Sequence, residues 1–597
     1  MASRTYACAL AAAVVLLGAG GAQAEPSTQK VEVKGLRDAS KWYRVETQHF
    51  VLYSDTRRDD VVELLNSLER LDYLLRVYTK PFLTGQAAAQ KVTLYFHDRT
   101  GWLAELGGKR PADAIGLYNS CASGVQAFAF NIEPVTALKN EQLAKGTLNE
   151  GLSYIFEGYA RHFIYRYTDI RSPASFIDGF AQYFSSARFT DNQMVVGRVP
   201  QGVGRFMHLL DDGYRYRLRF ADILDHRDPK KADEAAVQIE FQARSWNLMH
   251  FMLSSEENRA KLATYLSAVN EGTPVAQAFA SAYGLSGDAV DQALWRYRQP
   301  GVKVVRVDIP ELPQARLEFA EMSEATGDFL LQDAKLKACP GKETGEALLR
   351  SLRAEASKVP NNEFAQLTLA RAQVEWGNPR DALAYLNAAT KRDSRKAEAW
   401  YLLGAANLRL AQVEPTDARP ALLAAAQRSL AQAASLAPAS PEVQYALFKA
   451  GILATSEPDK ASVARAIVAW RNAHEVNTFA RSAALAYAWL GDPAGSFRAL
   501  NVVANNVRDP DSAAWARTWM GKLNTGVSRA DLVAEMRREP APADAFKEWT
   551  VASVDVMDTL YKNVGLEKAQ GYLDSQVMGD PSQPDRVLQN VPVRSGR

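Results

Sequence analysis

Residues 369 to 438 carry a pattern that comes round at a fixed interval, and such a pattern leaves a chain few folds to choose from. Leu369-Ala370-x-x-Gln373 returns 34 residues later as Leu403-Gly404-x-x-Asn407, with Trp400 opening the second copy. Ala382, Leu386 and Ala389 are answered by Ala426, Leu430 and Ala433, followed by Pro438. The second copy is longer by about ten residues near Val413 to Leu422, which the periodicity places in a loop between two helices. A third echo matches Trp376-Gly377-Asn378-Pro379-Arg380-Asp381-Ala382 with Leu490-Gly491-Asp492-Pro493-Ala494-Gly495-Ser496. A unit of this length cannot bury an apolar face alone, so neighbouring units must stack and share a core.

The interval and the small residues that let paired helices approach resemble the tetratricopeptide repeat. The resemblance assigns Leu369, Ala370, Ala382, Trp400, Leu403 and Gly404 structural roles. It also implies a concave wall that takes a protein or peptide partner. The expected fold class is an α+β N-terminal domain followed by an all-α helical-repeat solenoid. Repeats are expected over 315–525, a C-terminal helical segment over 526–578, and a disordered tail over 579–597, which is rich in Pro, Ser, Gln and Arg.

Before the repeats the pattern is mixed. Trp42 to Glu46, His49 to Tyr53 and Lys91 to Phe96 alternate like strands, and Gly116 to Phe130, centred on Ser123-Gly124, reads as a hairpin. Val61, Leu64, Leu65, Leu68, Leu71 and Leu75 recur at helical spacing between the strands. From about 141 to 300 the pattern is helical: Leu152, Ile155, Phe156, Tyr159 and Phe163 share a face, and further helices are expected near 174–187, Trp246 and Leu262. Pro300-Gly301 and the extended stretch to Pro313 end this domain, expected over 25–305.

Residues 1–24 read as an export signal. Arg4 precedes the apolar run Ala7 to Leu17, and Ala22-Gln23-Ala24 makes a small-x-small cleavage site. The mature chain is then expected to be periplasmic or secreted. It would carry no membrane-spanning anchor, since no later stretch holds 18 uncharged apolar residues. Its 69 basic and 68 acidic side chains nearly balance, so no field attracts nucleic acid. Cys121 and Cys339 remain after export. One disulfide and two buried thiols are both compatible with their placement.

The region 40–300 resembles the peptidase-MA-like (gluzincin) zinc proteases. The resemblance rests on Trp42 to Thr47 and His49 to Tyr53 as opening strands, Phe176-Ile177-Asp178-Gly179-Phe180-Ala181-Gln182-Tyr183-Phe184 as third-ligand helix, and Gln242 to Trp246 and Ala278 to Gly284 downstream. That family holds zinc with two imidazoles four residues apart and uses a neighbouring carboxylate as base. Here Glu157 stands in the first imidazole slot, Gly158 in the base slot and Arg161 in the second imidazole slot, while Asp178 replaces the distal glutamate. A guanidinium has no lone pair to give a metal, and glycine has no proton acceptor. The expectation is therefore a vestigial site without metal or cofactor, in which Glu157 and Arg161, spaced i, i+4, pair with one another and with Asp178.

Two other readings stay open from these residues: a hydrolase with a rearranged site using His162 and Asp178, joined by Glu150 or His250, and a cell-wall or glycan binder. The Tyr214-Arg215-Tyr216-Arg217-Leu218-Arg219 cluster is expected on a solvated strand or helix face. No phosphate loop, nucleophile elbow or dinucleotide fingerprint is present.

Overall fold

The computed structural model describes residues 39–83, 91–97, 114–130 and 141–551, apart from 169, 171–172, 190–191, 201–202, 205, 207–208, 211–212, 225–233, 299–303, 310, 415–416, 475, 505–509 and 539–545. The proposed export signal and the 579–597 tail lie outside the described residues.

The alternating segments pair as their apolar faces demand. β1 (Ala39–Glu46) and β2 (Phe50–Ser54) run antiparallel with Val45 opposite Leu52. α1 (Arg58–Thr79) crosses to β3 (Val92–His97), which lies parallel to β2. β4 (Ala114–Cys121) and β5 (Gly124–Phe130) form the expected hairpin, and β5 continues the sheet parallel to β3. Gly124 has φ 122°, a conformation that side-chain-bearing residues avoid.

α2 (Glu141–Tyr167) and α3 (Ala174–Ser185) follow, then a small antiparallel sheet of β6 (Arg188–Phe189), β7 (Gln193–Val196) and β8 (Val305–Asp308). Between β7 and β8 come α4 (Phe220–Leu224), α5 (Glu234–Leu253), α6 (Glu256–Asn270), α7 (Val275–Tyr283) and α8 (Asp288–Arg298). One continuous core joins Val45 and Leu52 of the sheet, the Val61–Leu75 face of α1, Phe156 and Phe163 of α2, and the aromatics of α3.

Among the described residues the main sheet has seven strands in the order β10-β4-β5-β3-β2-β1-β9. Both edges come from beyond residue 305: β9 (Glu318–Ser323) pairs with β1, and β10 (Phe546–Val551) pairs with β4. The segment 526–578, expected to be helical, contains one helix and then this strand among its described residues. An open sheet edge offers unpaired N–H and C=O groups, and Phe, Trp, Thr and Val suit a strand.

Helices fill the described interval between the two edge strands. They are α9 (Glu324–Lys337), α10 (Lys342–Ala356), α11 (Glu363–Trp376), α12 (Arg380–Arg392), α13 (Ala397–Val413), α14 (Arg419–Leu436), α15 (Pro441–Ala454), α16 (Lys460–Asn472), α17 (Asn477–Leu490), α18 (Pro493–Ala504), α19 (Pro510–Thr525) and α20 (Arg529–Arg537). From α11 to α18 each packs mainly on its chain neighbours, the nearest-neighbour stacking of a repeat array. Of the residues assigned structural roles, Leu369 and Trp400 are partly buried against the repeat cores. Ala370, Ala382 and Leu403 are buried, and a Cβ on Gly404 would meet Leu430 Cγ at 2.5 Å. Only part of the extra stretch lies between the helices, since α13 runs through Val413 and α14 begins at Arg419. Most of the extra residues lengthen the helices, α13 to 17 residues and α14 to 18. The stretch is rich in Ala and Leu, and its Pro420 falls in the first turn of α14, where proline is tolerated.

The two parts of the chain share surfaces. Tyr95, Leu117 and Phe128 of the sheet pack on Leu330 and Ala334 of α9, and a disulfide joins Cys121 at the end of β4 to Cys339 just after α9. Ala122, at the β4–β5 turn, packs into the core of α15 to α20.

Candidate functional site

α2 and α3 bring Glu157, Arg161 and Asp178 together. α3 starts after Pro173, whose fixed φ suits a helix entry, and buries every side chain from Ser175 to Ser185. It can lie against α5 because Gly179 has no Cβ: one placed there would stand 2.3 Å from the Ser245 carbonyl oxygen. That approach sets Asp178 facing α2. Arg161, with 2% of its surface exposed, donates from Nη2 to Glu157 Oε1 at 2.7 Å and from Nη1 to Asp178 Oδ1. Glu157 precedes it by one helical turn, the favourable order for such a pair. The guanidinium thus stands between both carboxylates that could have served a metal. As they stand, these side chains do not fit zinc: the central group is a donor only, and it holds the acceptors.

Gly158 lies on another line of α2. A Cβ there would meet the Tyr118 ring at 3.6 Å, an ordinary contact, so the backbone does not require a glycine.

His162 does not join Asp178. It is fully buried and shares a hydrogen bond of 3.1 Å from Nδ1 to the Tyr118 hydroxyl. Burial, reinforced by the charge of Arg166, pushes its pKa well below the usual histidine range. A neutral, enclosed imidazole holding a tyrosine is a core group. His250 lies on α5, where Nδ1 meets Tyr297 Oη at 2.6 Å and Nε2 meets the Gly197 carbonyl oxygen at 3.2 Å. The Glu150 side chain is outside the described residues. Among the described residues no group of three His, Cys, Asp or Glu side chains is arranged to hold a metal ion.

Tyr214 to Arg219 form neither strand nor helix. The buried carboxylate of Glu240 accepts from the Tyr214 hydroxyl at 3.0 Å and from the backbone N–H groups of Arg217 and Leu218 at 2.9 and 3.1 Å. That fixes the segment as a strap over α5.

Two polar networks join groups far apart in the sequence. On α1, Glu69 accepts from Thr47 Oγ1 and pairs with His49 Nδ1, each at 2.6 Å. Asp72 meets Tyr159 Oη at 2.7 Å and Arg76 Nε at 2.6 Å. Burial raises the Glu69 pKa, but its bonds to His49 and Thr47 outweigh it and the net shift is downward. The second network crosses the repeats. Arg371 of α11, 2% exposed, binds Glu375 on its own helix, Glu398 of α13 and Glu442 of α15, while Lys337 of α9 reaches Glu398 at 3.1 Å. Burial opposes ionisation of Glu398, yet Lys337 and Arg371 bring its pKa down to about 2.

These contacts show that α11, α13 and α15, first helices of their pairs, form one wall. α20 lies on the continuation of that wall, against α15 and α17. Each helix end there is capped by the other's cation: Lys449 Nζ donates to the Met536 and Arg537 carbonyls at 3.3 and 3.4 Å, and Arg537 donates to the Ile452 and Thr455 carbonyls at 2.9 and 2.6 Å. The α15–α17 part of the wall expected to be open to a partner is covered here by α20 of the same chain.

No protein-family model matches the chain, and no curated protein matches it. Among solved structures it is similar to a thermophilic TPR protein from Thermus thermophilus, at 17% identity and a TM-score of 0.28, over 33% of this chain and 100% of that one. The helical-repeat assignment rests on the interval in the sequence and the nearest-neighbour packing of the helices. Among the described residues no helix is long and apolar enough to cross a membrane.

Proposed function

We propose that this is an exported, non-catalytic interaction protein, in which a degenerate zinc-protease-like domain is joined to a tetratricopeptide-like partner-binding domain. The observation that carries the reading is the Arg161 guanidinium bound to Glu157 and Asp178. Activating water on zinc needs vacant ligands and a base, and this arrangement has neither. The Cys121–Cys339 disulfide supports an oxidising compartment. The partner is a protein or peptide segment, and it gains the α15–α17 wall by displacing α20 and β10.

The deciding experiment measures zinc in the purified full chain and assays peptidase activity with and without chelator. Zinc far below one ion per chain and no chelator-sensitive turnover are expected. One tightly held zinc, lost together with activity, would sink the reading. The displacement step is tested by Leu532→Asp with Met536→Asp, which loosens α20. Partner capture from an envelope fraction should rise in this variant, and unchanged or lower capture counts against displacement.

A further inference from the structure

Three arginines are among the largest fully buried side chains: Arg161, Arg166 and Arg371. Two of them have carboxylates built around them. Arg161 holds Glu157 and Asp178, and Arg371 holds Glu375, Glu398 and Glu442. Arg166 is different. It is 1% exposed, and among the described residues Nε, Nη1 and Nη2 all lack a hydrogen-bond partner. A guanidinium does not shed its proton at any ordinary pH, so the charge persists in the core. An uncompensated buried ion is among the most unfavourable arrangements a fold can keep, and the remedy is a counter-charge.

We propose that Arg166 anchors a buried binding site for a small oxyanion, carboxylate or phosphate, between α2 and β4. The surroundings fit that chemistry. Gly158, His162 and Arg166 follow at intervals of four along α2 and so lie on one side of it. Tyr118 of β4 packs at that side, its ring near Gly158 and its hydroxyl on His162 Nδ1. Ser120, two residues further along β4, projects from the same face of the sheet as Tyr118. Its Oγ is buried without a partner among the described residues, and so is His162 Nε2. The Tyr118–Nδ1 bond is compatible with either tautomer of the neutral imidazole, and in the one where the Tyr118 hydroxyl donates, the ring carries its hydrogen on Nε2. The unfilled groups on this face are then a guanidinium fork, an imidazole N–H and a hydroxyl. The guanidinium donates only and carries the positive charge, and the imidazole N–H and the hydroxyl can donate beside it, which suits an oxyanion and not a cation. The fork geometry of guanidinium matches two oxygens of a carboxylate or phosphate side by side. Burial of all three side chains limits the ligand to a small one. The site is independent of the repeat wall and stands whether or not that wall binds a partner.

The test uses the full chain, exchanged into a sulfonate buffer. Its melting temperature is followed by calorimetry against inorganic phosphate, acetate and chloride in turn. A saturable rise of several degrees with phosphate or acetate, and none with chloride at equal ionic strength, is expected; the arm that responds identifies the source of the oxyanion. Arg166→Met fills the same space without charge, so it should remove the dependence, and Ser120→Ala should weaken apparent affinity several-fold. The proposal is overturned by no response to either oxyanion, an equal response to chloride, or a response that persists in Arg166→Met. Should Arg166→Met fail to fold, Ser120→Ala and His162→Gln decide, and unchanged affinity in both rejects the site.

Discussion

A guanidinium enclosed by protein is stable only while its carboxylates stay in place, and Arg161 depends on Asp178 in this way. Asp178→Ala should therefore cost up to about 3–5 kcal/mol of unfolding free energy, measured by urea titration, because it leaves the buried arginine with Glu157 alone of its two carboxylates. Arg161→Leu with Asp178→Leu and Glu157→Gln should recover most of that loss, since apolar and neutral side chains replace a buried ionic cluster. His162 gives a pH signature. Its pKa is depressed in the fold, so below the unfolded value the unfolded chain takes up a proton that the folded chain refuses. The associated stability is present above about pH 6.5 and falls as the pH drops, by up to about 1.4 kcal/mol between pH 7.5 and 5.5. His162→Phe should flatten that part of the stability profile; an unchanged slope would show that other groups cause it.

At the level of elements, two glycines one helix apart make opposite demands. Gly179 touches the backbone of α5, so Gly179→Ala must push α3 away and should destabilise by about 1–3 kcal/mol. Gly158 has room for a methyl group, and Gly158→Ala should gain up to about 1 kcal/mol in helix propensity. Thermal melts of the two variants should move in opposite directions. Spacing makes α1, α2, α3 and the repeat helices legible in the sequence, because an apolar residue every third or fourth position is a local signal. The same periodicity misleads in part at Val413 to Leu422, where most of the extra residues extend the two helices and only a few lie between them. The pairing of Glu157 with Arg161 can be read from their interval. Of the Arg371 network only Glu375, one turn further along the same helix, can be read that way; Glu398 and Glu442 come from two other helices and no interval links them to it. Arg166 looks like any polar residue near the end of a helix, and only its burial sets it apart.

Across the whole molecule, the contacts least visible in the sequence join its two ends. β10 meets β4 across more than 400 residues, and Cys121 meets Cys339 across 218. Such pairings depend on which edges and faces remain open once local structure has formed, and that information is spread over the chain. Cys121→Ala with Cys339→Ala releases a long loop in the unfolded chain and should cost about 2–4 kcal/mol under oxidising conditions. Urea unfolding of the oxidised wild type, the reduced wild type and the double variant checks this, and the last two should coincide.

The edge strands β9 and β10 have a mechanical consequence. A stack of helix pairs is ordinarily a spring with one or both ends loose, free to stretch and recoil along its axis. This one is tethered at both ends to the same plate, seven strands wide, so its anchors stand about 29 Å apart, six strand spacings. Its pitch cannot lengthen without tearing a strand from the plate, and tension applied to the coil is delivered to the margins of the sheet.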